Sequence, residues 1–326
     1  MSALSTLHQR ITFKTLALGV VSLAASSLIH AQNYPNKPVT LQIPFAPGGT
    51  TDIIGRVISE PLGKALGQSV VVINKAGGGG SVGANETAKA TPDGYSLGMG
   101  TVSTTASNPA INPKIPYNPA TDFTPIINIA ATPNIIAVNP KFPAKDYAGF
   151  IAELKRNPGK YSYSSSGTGG IGHLQTELFK NLAGVFITHI PYSGAGPALR
   201  DTEIIFDNVP SALPHIQGGR LIPIVVAAPQ RLAALPNVPT FKEVGLEPVN
   251  RMAYYGIVGP KGLPAEVVQK VNAGVRTALQ DPAVRKRIED TGSIVLGNTP
   301  EQFAQQMAAE LAVYQKVVTT QKLKLD

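Results

Sequence analysis

The feature that most constrains the fold is an alternation of short apolar runs with amphipathic helical segments, joined by glycine-rich turns. The first example is IPFAPGGTTDIIGR, Ile43 to Arg56. The apolar run from Val39 to Phe45 predicts a buried strand, which breaks at Pro47-Gly48-Gly49. Thr50-Thr51-Asp52 then offers N-cap side chains, and apolar residues follow at helical spacing. The stretch therefore predicts a strand, a glycine turn and a helix N-terminus.

Such a turn favours an anion, because it points backbone N–H groups and the positive end of a helix dipole at one place. A carboxylate suits this place as well as a phosphate does. An ordinary strand-to-helix turn without a ligand remains an alternative. Two further turns of the same kind favour binding: SSSGTGGIGHL, from Ser164 to Leu174, and PYSGAGPAL, from Pro191 to Leu199.

The order of elements predicts two α/β units. Strands near Val39–Phe45, Ser69–Asn74 and Tyr95–Met99 alternate with helices, which implies a parallel sheet covered by helices. A second unit begins near Tyr147. Ligands of such sheets bind at the carboxyl ends of the strands, where the loop GTVSTTASN, Gly100 to Asn108, also ends. Its hydroxyls are candidate ligand contacts or, equally, loop caps.

Composition limits the classes of function. Arg10 and Lys14 flank an apolar segment from Leu16 to Ile29, followed by His30-Ala31, which predicts a secretory signal peptide cleaved after Ala31. Its removal would lower the formal net charge from +8 to +6, because two cations and no acid leave. The remaining cations are scattered, which argues against nucleic acid as a partner. The chain has no cysteine, so thiol catalysis and cysteine-bound metal are excluded.

Two motifs raise alternatives to simple binding. Gly78 to Gly83 matches G-x-G-x-x-G, but the following strand ends in GMGT without the acid that a dinucleotide ribose needs. The same stretch places Ser81 in G-x-S-x-G, so a serine hydrolase is the alternative enzyme. None of the histidines His173, His189 and His215 follows an acid-bearing loop as a triad requires. Glycines that permit close packing are the simpler interpretation, and no motif predicts a cofactor or a metal.

Several blocks together resemble one family, the periplasmic receptors of tripartite tricarboxylate transporters, also called Bug proteins. They are PFAPGGTTDIIGR (44–56), NKAGGGGSVGANETAKATPDGYSL (74–97), SSSGTGGIGHL (164–174), PYSGAGPAL (191–199) and FDNVPSALPHIQGGRL (206–221). The resemblance runs in order from about Tyr34 to Tyr314. It implies an α/β fold of the two-lobed periplasmic-binding-protein type (type II-like), with a parallel-rich sheet flanked by helices in each lobe and two crossover segments.

The resemblance also implies how the parts work. The signal peptide would be residues 1–31, the first lobe 32–136 with 253–326, and the second lobe 137–252. A small carboxylate would be held between the lobes through backbone N–H groups and ordered water, and would be delivered to a membrane permease by a protein expected to be monomeric. A hinge is expected near Asn134–Asn139 and Asn250–Gly256.

By position, the candidate ligand-binding residues come from four places. They are Phe45, Ala46, Pro47, Gly48, Gly49, Thr50, Thr51 and Asp52 in the first turn; Ser103 and Thr104 after the third strand; Ser166, Gly167, Thr168, Gly169 and His173 in the second turn; and Tyr192, Ser193, Gly194, Ala195 and Asp207 in and beyond the third. Asp207 follows a strand, where it is either a cap or an acceptor for a ligand group.

One segment departs from the family pattern. Relatives continue the helix after the residue that matches Asp201, whereas here Asp201-Thr202-Glu203 leads directly into a strand. This shortening raises the alternative of a binding protein that no longer binds, and it leaves the position of Asp207 open.

Overall fold

Two sheets form the layers of the fold, and the computed structural model describes residues 34–193 and 202–325 of the chain. From Lys37 onward the chain forms one compact unit. Within the described residues, the first sheet contains β1 (Val39–Ile43), β2 (Val70–Asn74), β3 (Ser96–Thr101), β4 (Phe123–Thr132), β10 (Ala253–Pro260) and β11 (Ile294–Val295). The second contains β5 (Asn134–Val138), β6 (Ser162–Ser165), β7 (Thr188–Pro191), β8 (Ile204–Asn208) and β9 (Ile222–Ala227).

The strand order shows how the chain is shared between the sheets. The first sheet has the order β11-β4-β10-β3-β1-β2, and the second has β7-β6-β8-β5-β9. Strands β2, β1 and β3 are parallel, as the alternation predicts, while β10 is antiparallel to both β3 and β4. In the second sheet β6 is parallel to β7 and β8, and β5 is antiparallel to β8 and β9. Both sheets are therefore mixed, because the strands on either side of each crossing run against their neighbours.

Helices cover both sheets. Their bounds are α1 (Thr50–Leu66), α2 (Ser81–Ala88), α3 (Asn108–Ile111), α4 (Tyr147–Arg156), α5 (Ile171–Ala183), α6 (Val209–Gln217), α7 (Ala265–Gln280), α8 (Pro282–Glu289) and α9 (Pro300–Gln321). The chain is thus divided into a first lobe, built on the six-stranded sheet, and a second lobe, built on the five-stranded sheet with α4, α5 and α6.

Local sequence explains why α1 begins and ends where it does. Its apolar face places Ile54, Ile58 and Leu62 one turn apart, and all three are fully buried. The helix ends at Gly67, which adopts φ +74° and donates its N–H to the carbonyl of Gly63. A glycine accepts this left-handed conformation without the cost that a Cβ would add.

The middle of the second sheet is buried on both faces, which is why β5 is apolar from Ile135 to Val138. Ile136 and Val138 belong to a core with Phe150, Phe179 and Phe206, whereas Ile135 and Ala137 pack on the other side against α6. The residues on both faces of this stretch are therefore apolar, so the alternation of polar and apolar positions is lost.

The chain crosses between the lobes at two places. The first crossing is at Pro133, between β4 and β5, and the second lies between Ala228 and Ala253. The predicted hinge segments near Asn134–Asn139 and Asn250–Gly256 adjoin these crossings and overlap strands β5 and β10, and the hinge itself stays a prediction. The predicted lobe boundaries at residues 136 and 253 stay a prediction.

Other predictions either differ from the structure or concern residues outside its described part. The segment after β3 is a buried helical turn, Ser103–Ser107, that leads into α3, whereas a loop was expected there. The predicted signal peptide and its cleavage after Ala31, the site residues Gly194 and Ala195, and Asp201 lie outside the described residues. In the described part of the chain, no helix combines the length and the apolar character needed to cross a membrane.

Candidate functional site

The first glycine turn is held together by Asp52. Its carboxylate accepts hydrogen bonds from the Gly48 N–H (3.0 Å), from Arg56 Nε (3.0 Å) and from Asn74 Nδ2 (2.9 Å). Asn74 Nδ2 also donates to the carbonyl of Phe45 at 3.0 Å. Burial alone would raise the pKa of Asp52, but these hydrogen bonds and the charge of Arg56 outweigh it and hold the pKa below its usual value. Asp52 is therefore ionised, and its carboxylate holds the turn in shape.

The start of α1 leaves donors available. The first hydrogen bond of the helix runs from Ile53 N to Gly49 O at 3.0 Å, so the N–H groups of Thr50 and Thr51 have no acceptor within the helix. Gly49 is the N-cap residue and supplies no capping side chain. Thr50 and Thr51 are buried, at 3% and 4% exposure. An anion placed here would accept hydrogen bonds from these N–H groups and would be stabilised by the helix dipole.

The second turn uses its donors within the protein. Gly169 N donates to His173 Nδ1 (3.1 Å), and Gly170 N donates to Gly167 O (3.1 Å). Ile171 N, at the start of α5, donates to Ser103 Oγ of the first lobe at 3.0 Å. The family resemblance predicted backbone N–H groups of this turn as ligand donors, with Gly169 among the site residues. The structure gives the N–H groups of Gly169, Gly170 and Ile171 partners in the chain, and a side chain of the opposite lobe caps α5.

His173 stabilises the second turn by accepting the Gly169 N–H on its ring. Its ring stacks on His189 with centroids 4.1 Å apart, and His189 Nε2 lies 2.7 Å from Ser165 Oγ. Burial, followed by the charges of His173 and Lys180, lowers the pKa of His189 to about 3. The stacked pair therefore contains a neutral His189 at ordinary pH, and both rings act as supports of the turn.

The two lobes touch through glycines. Gly79 has φ +61°, and a Cβ built on it would lie 2.4 Å from Thr168 O of the second lobe. A Cβ on Gly169 would lie 2.5 Å from Asn108 Oδ1 of the first lobe. Ser107 Oγ donates to Gly169 O at 3.1 Å. The turn from Gly78 to Gly83, which matches both G-x-G-x-x-G and G-x-S-x-G, therefore packs against the second lobe. This agrees with the simpler interpretation of its glycines, which is that they permit close packing.

A small polar cavity lies between the lobes. Its volume is about 20 Å³, which is room for about one water molecule. Its lining brings together seven of the predicted residues, namely Phe45, Gly49, Thr50, Thr51, Ser103, Ser166 and Asp207. Four others line it that the sequence did not predict: Thr101, Ile171, Asn208 and Tyr255. No lysine, arginine or histidine is among these lining residues of the described chain.

The other predicted residues lie off the cavity wall. Thr104 Oγ1 is bonded to the end of β3, since it accepts from Thr101 N at 3.0 Å. Ala46 N donates to Ser193 O at 3.4 Å, which is a contact between the lobes beside the cavity. The remaining described members of the predicted set that do not line it are Pro47, Gly48, Asp52, Gly167, Thr168, Gly169, His173 and Tyr192.

Asp207 reaches the cavity from the end of β8. Ser211 Oγ donates to its Oδ2 at 2.5 Å, and Thr50 Oγ1 of the first lobe lies 3.2 Å from Ser211 Oγ. Burial raises the pKa of Asp207 to about 7, although the Ser211 hydroxyl and the backbone of Asn208 partly oppose this. Tyr255 donates to Asn208 Oδ1 at 2.6 Å. The carboxyl of Asp207 therefore lies close to the start of α1.

The shortened segment is joined firmly to the second lobe. Thr202 Oγ1 donates to Ser164 Oγ at 2.8 Å, and Ser162 Oγ donates to Glu203 Oε2 at 2.9 Å. Strand β8 follows at once and pairs with both β5 and β6. The strand that carries Asp207 is therefore fixed in the sheet despite the short connection.

The hydrolase alternative lacks a matching arrangement. Ser81 is the first residue of α2 and does not line the cavity. The histidines have other partners: His189 contacts Ser165, and His215 Nδ1 accepts from Arg220 Nε at 3.1 Å. Among the described residues no group of three histidines, aspartates or glutamates is arranged to hold a metal ion.

Comparison with known proteins decides the family. The model of the tripartite tricarboxylate transporter family receptor (TctC) matches residues 54–323. The chain belongs to this family. Protein BugT of Bordetella pertussis (strain Tohama I / ATCC BAA-589 / NCTC 13251) is 32% identical over 316 residues, covering 95% of this chain and 97% of BugT. A solved relative of this TctC receptor, BugD, is described as a periplasmic binding protein and is 30% identical, with a TM-score of 0.86 over 89% of this chain and 99% of BugD.

Two solved structures extend the comparison. A structure described as a periplasmic transporter has 50% identity and a TM-score of 0.88, and the match covers 90% of this chain and 100% of that one. The R. palustris protein Rpa4515, solved with adipate, has 34% identity and a TM-score of 0.86, over 89% of this chain and 99% of that one. These neighbours confirm the two-lobed periplasmic-binding-protein fold.

Proposed function

We infer that this TctC receptor is a periplasmic solute-binding protein that captures a small carboxylate between its lobes and delivers it to a tripartite tricarboxylate-type permease. The observation that carries this proposal is the convergence of the α1 N-terminus and neutral hydroxyl donors on one cavity between the lobes. A carboxylate there is stabilised by backbone N–H groups and the helix dipole without an arginine. The adipate of the R. palustris relative supports the ligand class.

The proposed binding mode assigns unequal parts to the two turns. The N–H groups of Thr50 and Thr51 donate hydrogen bonds to the carboxylate, while the second turn closes over it. Ser103, Ser166 and Thr101 supply hydroxyls, directly or through ordered water, which allows one clamp to serve acids of different shape. Because the cavity holds about one water molecule, entry of a carboxylate requires the lobes to separate.

The remaining parts of the proposal concern the cellular setting. Residues 1–31 act as the secretory signal, the mature chain is monomeric, and the permease is a separate membrane protein. The lobe boundaries follow the two crossings. The mildly basic net charge helps to collect acidic ligands.

A thermal-stability panel tests the function. Purified mature protein is melted with acetate, succinate, adipate, malate, benzoate and glutamate, and with the methyl esters of the same acids as matched controls. An acid at about one hundred times its dissociation constant adds about 2.7 kcal/mol to the free energy of unfolding. We expect at least one acid to raise the melting temperature and its ester to leave it unchanged. Equal effects of acid and ester would contradict a carboxylate clamp, and a cooperative melt that no acid shifts would favour the disabled-receptor alternative.

A further inference from the structure

The position of Asp207 raises a question about charge. Asp207 is 6% exposed and lines the cavity in which the proposed ligand carboxylate binds. The hydrogen-bond path from Thr50 through Ser211 to Asp207 places the two acids close together, because Thr50 also begins the helix that would bind the ligand. Two ionised carboxylates in one buried place repel each other strongly unless a cation separates them.

The surroundings of Asp207 provide no such cation among the described residues. On its own strand the neighbour is Asn208, and across the sheet it is Ile135 of β5. Helix α6 contributes the hydroxyl of Ser211, α1 that of Thr50, and β10 the phenol of Tyr255. Tyr255 is the titratable member of this set, and burial together with the charge of Asp207 raises its pKa, so it stays neutral.

We propose that this receptor binds its carboxylate ligand together with one proton, and that the carboxyl of Asp207 carries that proton. The inference rests on the proposed function and deepens it. A neutral Asp207 removes the repulsion and turns an acceptor into an O–H donor toward the ligand. The ligand class is then a carboxylic acid without an ammonium group, since an ammonium would be held best by an ionised Asp207.

The protonation of the free protein fits this proposal. Burial raises the pKa of Asp207 to about 7, so that a proton is present on a large share of molecules at neutral pH before any ligand arrives. In the bound state the added negative charge raises the pKa further. Binding above neutral pH therefore takes up a proton from solvent, and no other reactant is needed.

The expected pH dependence follows from linkage. Affinity is constant below the pKa of free Asp207, down to the pH at which the ligand itself becomes protonated, and falls tenfold per pH unit above it. Between pH 6 and pH 9 the dissociation constant therefore increases about a hundredfold. Calorimetry at pH 8 in buffers of different ionisation enthalpy should show uptake of close to one proton per ligand.

The test uses the full mature chain with succinate or adipate as probe, whichever shifts the melt, from pH 6 to pH 9. Asp207→Asn cannot ionise, so its dissociation constant should change little over this range. Asp290→Asn, at an exposed helix end, is the matched control and should keep the wild-type profile. A second readout is the ¹³C shift of the Asp207 carboxyl in the protein without ligand, which should titrate near neutral pH.

Four results would overturn the proposal. They are a flat wild-type profile with a binding acid, an affinity that rises with pH for glutamate, a pH profile that survives in Asp207→Asn, and an Asp207 carboxyl that titrates near 4. The first of these leaves the carboxylate receptor intact and removes proton uptake alone. Absence of binding by every acid at every pH would remove both proposals together.

Discussion

Gly79 offers the sharpest test of lobe closure, because its contact lies across the two lobes. A Cβ at this position would meet Thr168 O at 2.4 Å and Gly170 N at 2.9 Å, and both atoms belong to the second lobe. We therefore predict that Gly79→Ala prevents full closure and weakens ligand binding, while each lobe keeps its own fold.

The size of the effect follows from the geometry. Real Cβ atoms do not approach a neighbour within 3.0 Å, so the lobes must separate locally by about 0.6 Å. The hydrogen bonds from Ile171 N to Ser103 Oγ (3.0 Å) and from Ser107 Oγ to Gly169 O (3.1 Å) would then exceed their usual length. Each bond contributes about 0.5–1.5 kcal/mol, so closure loses about 1–3 kcal/mol. The dissociation constant should rise about 5-fold to 140-fold, at tenfold per 1.4 kcal/mol.

The assay is titration calorimetry with the acid identified in the thermal panel, and Gly67→Ala is the matched control. Gly67 has φ +74° and no atom within 4 Å of its built Cβ, so an alanine there has the same backbone strain, about 1–2 kcal/mol, without a clash. Gly79→Ala should therefore bind more weakly than Gly67→Ala, although both variants carry the same backbone strain. Equal affinity of Gly79→Ala and Gly67→Ala would refute the argument that closure across Gly79 is part of binding.

Three further predictions concern the same cleft. Asp207→Asn should become more stable than wild type as pH rises. Between pH 3.8 and about 7 the folded protein keeps the Asp207 proton while the unfolded chain releases it. The wild-type free energy of unfolding is therefore highest below pH 3.8 and falls by up to about 4 kcal/mol by pH 7. Urea unfolding across this pH range measures the difference, and parallel curves would contradict it. Ser103→Ala removes the cap of Ile171 N and should weaken binding about fivefold in calorimetry, with Thr91→Ala at an exposed loop as control. A saturating acid should reduce the radius of gyration in small-angle scattering, and profiles that overlay would contradict hinge closure.

Local signals predicted the parts of the site that depend on neighbouring residues. The strand, glycine turn and helix from Val39 to Leu66 were predicted because burial, φ and capping are encoded within a few residues. The role of Asp52 was not, since its carboxylate reaches Asn74 at the end of another strand, and the sequence gives no sign of that contact.

Two of the missed cavity residues, Thr101 and Tyr255, share one cause. Tyr255 and Thr101 lie opposite each other in the antiparallel register of β10 and β3, although nearly half of the chain separates them in the sequence. Strand pairing of this kind depends on the crossing between lobes, which periodicity alone does not specify. Asn208 lay next to a predicted residue, and its position at the same strand end was an available signal.

The distribution of donors changes how the two glycine turns should be understood. Sequence presented them as equal halves of a clamp, because each has a strand, glycines and a helix start. The structure distinguishes them, since Ser103 and His173 already accept from the second turn, while the first turn uses Asp52 to hold its shape and leaves Thr50 and Thr51 free of helical acceptors. A turn whose donors are satisfied can close without a ligand at little cost, whereas unsatisfied buried N–H groups favour an anion. Selectivity should therefore depend on the first turn and on Asp207, and closure on the second.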